Sequence, residues 1–279
     1  MSATHSTRFR LQGGEAILVL SLYRSPMATT PEPRPISGGV CFEEWDFAAL
    51  GPEHARSIES NDRRLMTRRR LLALGKDFLA RAKGEGVPLD ARSSLHHPHA
   101  FNGKQVSRLW VYLMRPKAEK TRLRKVLGRE LAKDLDSAYR NAYLCVALEH
   151  QQLEVSLRIH ADAWYDGQNL VNRVGRDGLG PWLALLNELT GFQLRLHDWR
   201  GEWPCGNLTP DQLTEFLRHY TPGEHQLVVD RRWPVPAEGA VREAALGEEV
   251  PGILLAELER LLPMYRYAAW SQESDHLFS

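Results

Sequence analysis

The sequence predicts an α+β protein, a mostly antiparallel sheet with helices packed on at least one face. Three observations carry that expectation. Apolar residues alternate through "NAYLCVALEHQQLEVSLRIH" at Leu144, Val146, Leu148, Leu153, Val155, Leu157 and Ile159, the period of half-buried strands. Apolar residues recur at helical spacing in several longer stretches. The two patterns interleave along the chain as helices and hairpins, which favours antiparallel pairing over a parallel, doubly wound sheet.

The composition fits a soluble globular protein: of 279 residues, 43% are apolar and 25% charged, enough to build a sizeable core. No run approaches the ~20 apolar residues of a membrane span. "AILVLSLY" (16–23) is short for a signal core, and "SPMAT" is a poor cleavage site. It reads as a short strand, or as a translated leader ahead of a start at Met27. The three cysteines, Cys41, Cys145 and Cys205, are far apart and form no CxxC, which points to a reducing, cytoplasmic setting.

Residues 24–39 hold four prolines with Ser, Thr and Gly, so 1–39 is expected to be a flexible segment and linker. Residues 40–279 are expected to form a single α+β domain, with a potential sub-boundary near residue 175. Its first helix runs from a cap at Asp62 to about Lys83, closed by Gly84 and Gly86. A short extended piece at Leu89–His97 and a strand at Val106–Met114 follow. Pro116 opens a helix to about Asp134, with Leu123, Val126, Leu127 and Leu131 as its apolar stripe.

The alternating stretch predicts a hairpin reversing at His150-Gln151. That register pairs Leu148 with Leu153, Val146 with Val155, Cys145 with Ser156 and Tyr143 with Arg158. Neither turn residue is favoured in a primed turn. Asp162 is expected to cap the next helix, and Pro181–Leu189 a further one ended by Gly191. "FQLRLHDW" reads as a strand, and "TPDQLTEFLRHY" as a helix capped by Thr209 with Pro210 at its first position. "QLVVD" is a strand and Val250–Leu262 the last helix. The aromatic tail through Tyr265, Tyr267, Trp270 and Phe278 is expected to fold back and complete the core.

The charge distribution bears on partners. Residues 1–140 carry 25 Lys and Arg against 15 Asp and Glu, and residues 141–279 carry 11 against 20. An overall net charge of +1 therefore conceals +10 and −9 halves. Such asymmetry marks a face for an anionic or protein partner, or two halves that neutralise each other.

Alternation sends Arg108, Trp110 and Tyr112 to one face of their strand. The hairpin face opposite its Leu/Val stripe carries Tyr143, Cys145, Glu154, Ser156, Arg158 and His160. Aromatic rings beside guanidinium groups suit base stacking and phosphate contacts, so nucleic acid is the first candidate partner. Arg122, Lys125 and Arg129 on the second helix, and the run "RRLMTRRR" (63–70), extend the basic character. These same stretches also read as solvated helix faces, and Arg158 with Glu154 as an internal pair.

The alternative is a metal-dependent hydrolase or nuclease. His97-Pro98-His99 places two imidazoles at H-x-H spacing, and His160 precedes Asp162 and Asp166. Against it, no second ligand cluster has matching spacing, and both aspartates have helix-start explanations. No Walker loop, GxGxxG, GxSxG or HExxH occurs, and the expected complement of metals and cofactors is none. A protein–protein interaction module is the third reading.

Overall fold

Seven strands form one antiparallel sheet: β1 (Asp90–Ser93), β2 (Arg108–Met114), β3 (Tyr143–Glu149), β4 (Gln152–Ile159), β5 (Gln193–Leu196), β6 (Glu202–Pro204) and β7 (Leu227–Pro234). Their order is β1-β2-β3-β4-β7-β5-β6. The computed structural model describes residues 42–100, 103–197, 201–235 and 248–278. The 1–39 segment with its strand candidate, and Cys41, lie outside the described residues. Seven described helices accompany the sheet: α1 (Glu44–Ala48), α2 (Asn61–Gly84), α3 (Lys117–Leu131), α4 (Trp164–Asp177), α5 (Leu179–Asn187), α6 (Pro210–His219) and α7 (Val250–Ala268). The fold is α+β. None of the described helices is long and apolar enough to cross a membrane.

The β3–β4 hairpin has the register that alternation predicts, from Tyr143 opposite Arg158 to Leu148 opposite Leu153. Its reversal is held from outside. His150 and Gln151 are not among the positive-φ residues, so this is not a primed turn. Instead Gln151 O accepts from Val235 N at 2.8 Å. The His150 ring also packs so closely on Gly51 that an added Cβ there would lie 2.8 Å from Nδ1. Strands before and after residue 175 share the sheet, because β7 pairs with β4 from Gln152 to Ile159.

Period-two alternation gives the sheet two unlike faces. Leu109, Val111 and Leu113 of β2 continue through Leu144, Val146 and Leu148 of β3 into Leu153, Val155, Leu157 and Ile159 of β4, all buried. Helices α2 and α7 pack on this apolar face, α2 through Leu71, Leu74 and Phe78, and α7 through Leu254, Leu258 and Leu261. Gly75 is what lets α2 approach so closely, since a Cβ there would come 2.8 Å from Val111 Cγ2.

Several local expectations are corrected. Helix α2 starts from Ser60 without a side-chain cap, and Asp62 lies in its first turn. Helix α3 is broken at Gly128 (φ 78°), beyond which Leu131 faces solvent; before the break Leu123 and Leu127 are buried and Val126 is exposed. Asp162 does not cap α4. His160 caps a 3-10 turn instead, its Nδ1 accepting from Asp162 N at 3.1 Å. Helix α7 continues past Pro263 to Ala268, because its aromatic end is buried and tertiary packing outweighs the lost hydrogen bond. Tyr265, Tyr267 and Trp270 join the core, but Phe278 is exposed. Strand β6 and helix α1 had no expectation in the sequence.

Most of the basic run of α2 is engaged within the protein, while Arg69 is exposed. Arg64, 0% exposed, donates to the carbonyls of His96 (3.0 Å), Ala49 (3.3 Å), His54 (2.8 Å) and Ser57. Arg68 donates to Ser94 O at 2.8 Å, Arg63 pairs with Glu43, and Arg70 pairs with Glu43 and Asp46. Across the two halves of the chain, Arg81 pairs with Glu259, Arg108 with Glu154 and Arg115 with Asp166. Part of the charge asymmetry is thus neutralised within the fold.

Candidate functional site

The second sheet face collects the side chains that alternation sends away from the core. Arg108, Trp110 and Tyr112 point together from β2, beside Tyr143 and Cys145 of β3 and Glu154, Ser156 and Arg158 of β4. Asp230 and Arg232 of β7 and Arg195 of β5 continue it. At one end, Ala138 of the connection before β3 packs on Met114, Tyr143, Cys145 and Ala147.

Glu154 is the electrostatic centre. Its Oε1 accepts from Arg158 Nη2 (2.6 Å), Ser156 Oγ (2.7 Å) and Arg108 Nη2 (3.0 Å). Burial pushes this carboxyl up, but the Arg158 and Arg108 charges and the Ser156 hydrogen bond outweigh it and hold the group down at about 2. Burial likewise opposes the charge on Arg158, and Glu154 reverses that and raises it. Arg108 also pairs with Glu149 at 3.0 Å. Asp230 takes Arg195 Nε (2.9 Å) and Arg232 Nη2 (2.6 Å), and Arg195 reaches Glu202. Four arginines thus face four carboxylates. The face is ionic and charge-balanced, where the sequence had suggested a basic one.

Within this lattice is an aromatic group. The Trp110 and Tyr112 ring centroids are 5.5 Å apart, and Tyr112 meets Tyr143 edge-on at 4.6 Å. Trp110 and Tyr112 are half-buried and Tyr143 is buried. With Arg108, Arg158, Cys145 and Gln226 they line a pocket of about 160 Å³. Trp110 Nε1 is buried there with no hydrogen-bond partner in the protein. Burial pushes the Cys145 thiol up to about 11, which favours its protonated form.

The remaining sequence candidates fall elsewhere. His160 sits at the end of β4, with Asp162 at 3.7 Å and its ring against Tyr139, and burial lowers its pKa. Arg122, Lys125 and Arg129 are exposed on α3, with Arg129 beyond the Gly128 break. Arg122 pairs with Glu119 at 2.7 Å. His97 immediately precedes the 3-10 turn Pro98–Ala100 that contains His99; their rings lie 5.3 Å apart and His99 N donates to His97 Nδ1.

The histidines of the hydrolase alternative are not brought together. The 94–99 loop leaves β1 beside Trp110 and is pinned by Arg64, near the β3–β4 turn, while His160 lies at the other end of β4. Among the described residues, no three His, Cys, Asp or Glu side chains are grouped to hold a metal.

Sequence reasoning missed the pairing of Arg115 with Asp166. Asp166 reads as a first-turn helix charge, yet it is 0% exposed and accepts from Ala142 N (2.6 Å), Trp270 N (2.8 Å) and Arg115. The one available signal was an arginine ending an apolar strand directly before a proline. No protein-family model and no curated protein matches this chain.

Proposed function

We propose that the polar sheet face binds a planar, phosphate-bearing ligand, with a nucleotide unit of single-stranded nucleic acid as the first candidate. One observation carries this reading: the Trp110–Tyr112–Tyr143 aromatic group opens onto a pocket flanked by two guanidinium groups, and the Trp110 N–H there has no acceptor. With a base stacked on the Trp110 and Tyr112 rings, a sugar or phosphate oxygen of the ligand beside the indole edge would supply the acceptor that this N–H lacks. Arg108, with two of its five N–H groups directed at carboxylates, would retain donors for a phosphate.

The charge balance of the face refines the expectation. With few uncompensated cations, binding would rest on stacking more than on counterion release. The slope of log K against log salt should then be shallow, about −1 to −2, where a basic groove making 6–10 phosphate contacts has a much steeper one.

The test is fluorescence anisotropy of short labelled single strands and duplexes across a salt series. Single strands should bind better than duplexes, and Trp110→Ala should weaken them by ~1–3 kcal/mol. Absence of saturable binding, or binding indifferent to Trp110→Ala, would overturn this reading.

A further inference from the structure

A larger cavity lies away from the polar face. It holds about 710 Å³ and is enclosed by the start of α3, the far end of α4, the end of α7 and the 269–274 segment. Local structure brings its polar groups together. Strand β2 ends at Met114 and Pro116 starts α3, so Arg115 sits at the junction. Glu119 and Arg122 follow at one-turn and two-turn spacing on α3. Helix α7 stops at Ala268, and the extended backbone at Ala269 (φ −69°, ψ 134°) delivers Trp270.

Arg115 is only 3% exposed. Its Nη2 donates to Asp166, whose two oxygens also take the backbone N–H groups of Ala142 and Trp270. Arg115 Nε and Nη1 have no acceptor in the protein, and neither does Trp270 Nε1. Glu119 Oε2 has no donor, and Tyr267 OH has no partner. A buried polar group left unpaired costs about 1–3 kcal/mol. Several of them on residues that line one cavity are a feature that calls for a ligand.

The cavity's lining and shape define that ligand. Arg122 and Arg266 are exposed and line it, and Arg173 is fixed over the Tyr267 ring at 4.0 Å, donating to Tyr267 O and Ser274 Oγ. Four arginines line it with Glu119 and Glu273, while Asp166 lies beneath Arg115 and Asp177 pairs with Arg173, so the unfilled donors rather than a net charge mark the place of an anion. Val87, Pro88 and Leu185 add apolar wall, and the volume suits a small organic molecule.

We infer that this cavity binds a small organic oxyanion, a carboxylate or phosphate monoester on an apolar or aromatic body. The oxyanion meets the free donors of Arg115 and Trp270, and a hydroxyl or amine of the ligand meets Glu119. The site shares no lining residue with the polar sheet face, so the Trp270 resonance and the Arg122 and Arg266 side chains report on it separately from any stacking of a planar phosphate ester on Trp110.

The experiment is calorimetric titration of the full chain with phenyl phosphate, with 3-phenylpropionate and with uncharged 3-phenylpropanol. The Trp270 indole N–H is followed by NMR and assigned through Trp270→Phe. At least one anion should bind saturably and shift the Trp270 resonance with the same saturation, and the alcohol should do neither. The tighter anion identifies the source of the oxyanion. The Arg122→Ala/Arg266→Ala protein, changed only at exposed positions, should bind about tenfold or more weakly with an unchanged melting temperature. Trp110→Ala should leave the saturation of the Trp270 shift unchanged. No saturable heat with either anion, an unmoved Trp270 resonance at saturation, or binding indifferent to the double substitution would overturn the proposal.

Discussion

Arg64 and Arg115 are both buried cations, 0% and 3% exposed, yet their surroundings differ in kind. Arg64 meets four backbone carbonyls and ties the start of α2 to the 49–57 segment and the 94–99 loop. Arg115 meets one carboxylate and keeps two nitrogens without an acceptor. Arg108 and Arg158 lie between these cases, with their charge answered by Glu154. Burial alone therefore does not separate a structural arginine from a receptive one. What separates them is how many of the five donors the protein itself satisfies.

The largest expected effect is at the saturated end. Arg64→Met should destabilise the protein by ~4 kcal/mol, because four carbonyls lose a charge-assisted donor at roughly 1 kcal/mol each. Carbonyls do not titrate, so urea denaturation should give a similar loss at pH 5 and pH 8. A loss below about 1 kcal/mol would break the equation of saturation with structural role.

The carboxylate-paired arginines should behave differently with pH. Glu154 has its folded pKa lowered from 4.5 to about 2, so its contribution is fully present above pH 4.5 and is lost as pH falls toward 2. Integrated over that window it is worth roughly 3 kcal/mol. Glu154→Gln should cost ~2–3 kcal/mol at pH 7, and the gap to the unaltered protein should narrow as pH drops. Chemical denaturation at pH 7, 4.5 and 3 measures it. A gap that stays constant would show that the ion pairs around Glu154 add little beyond packing.

The same contrast explains what the sequence could convey. The β3–β4 register was legible because period-two alternation leaves one way to bury Leu144, Val146, Val155 and Leu157 together. The company of Arg108, Trp110, Tyr112, Tyr143 and Arg158 followed from the same rule. The balance of that face was not legible, since Asp230 and Arg195 come from β7 and β5, and crossovers leave no local pattern. Nor was the fate of "RRLMTRRR": a basic run looks alike in sequence whether it meets solvent or the carbonyls of loops distant along the chain. Arg115 and Asp166 are 51 residues apart, and only the fold brings them together.

The smallest expected effects fall on the α3 cations. Arg122 is half-exposed and its Glu119 partner lies one turn away, a geometry that contributes a few tenths of a kcal/mol in helices. Lys125 and Arg129 are exposed. Replacing Arg122, Lys125 and Arg129 singly by Ala should shift unfolding free energy by no more than ~0.5 kcal/mol. In the oligonucleotide assay these changes should also be nearly silent, because stacking on Trp110 rather than a basic helix is expected to carry affinity. A loss of more than about 1 kcal/mol in oligonucleotide binding at any of the three would move the contact from the sheet face to α3. It would show that arginines and lysines left free at the surface, rather than those engaged around Glu154, set the partner.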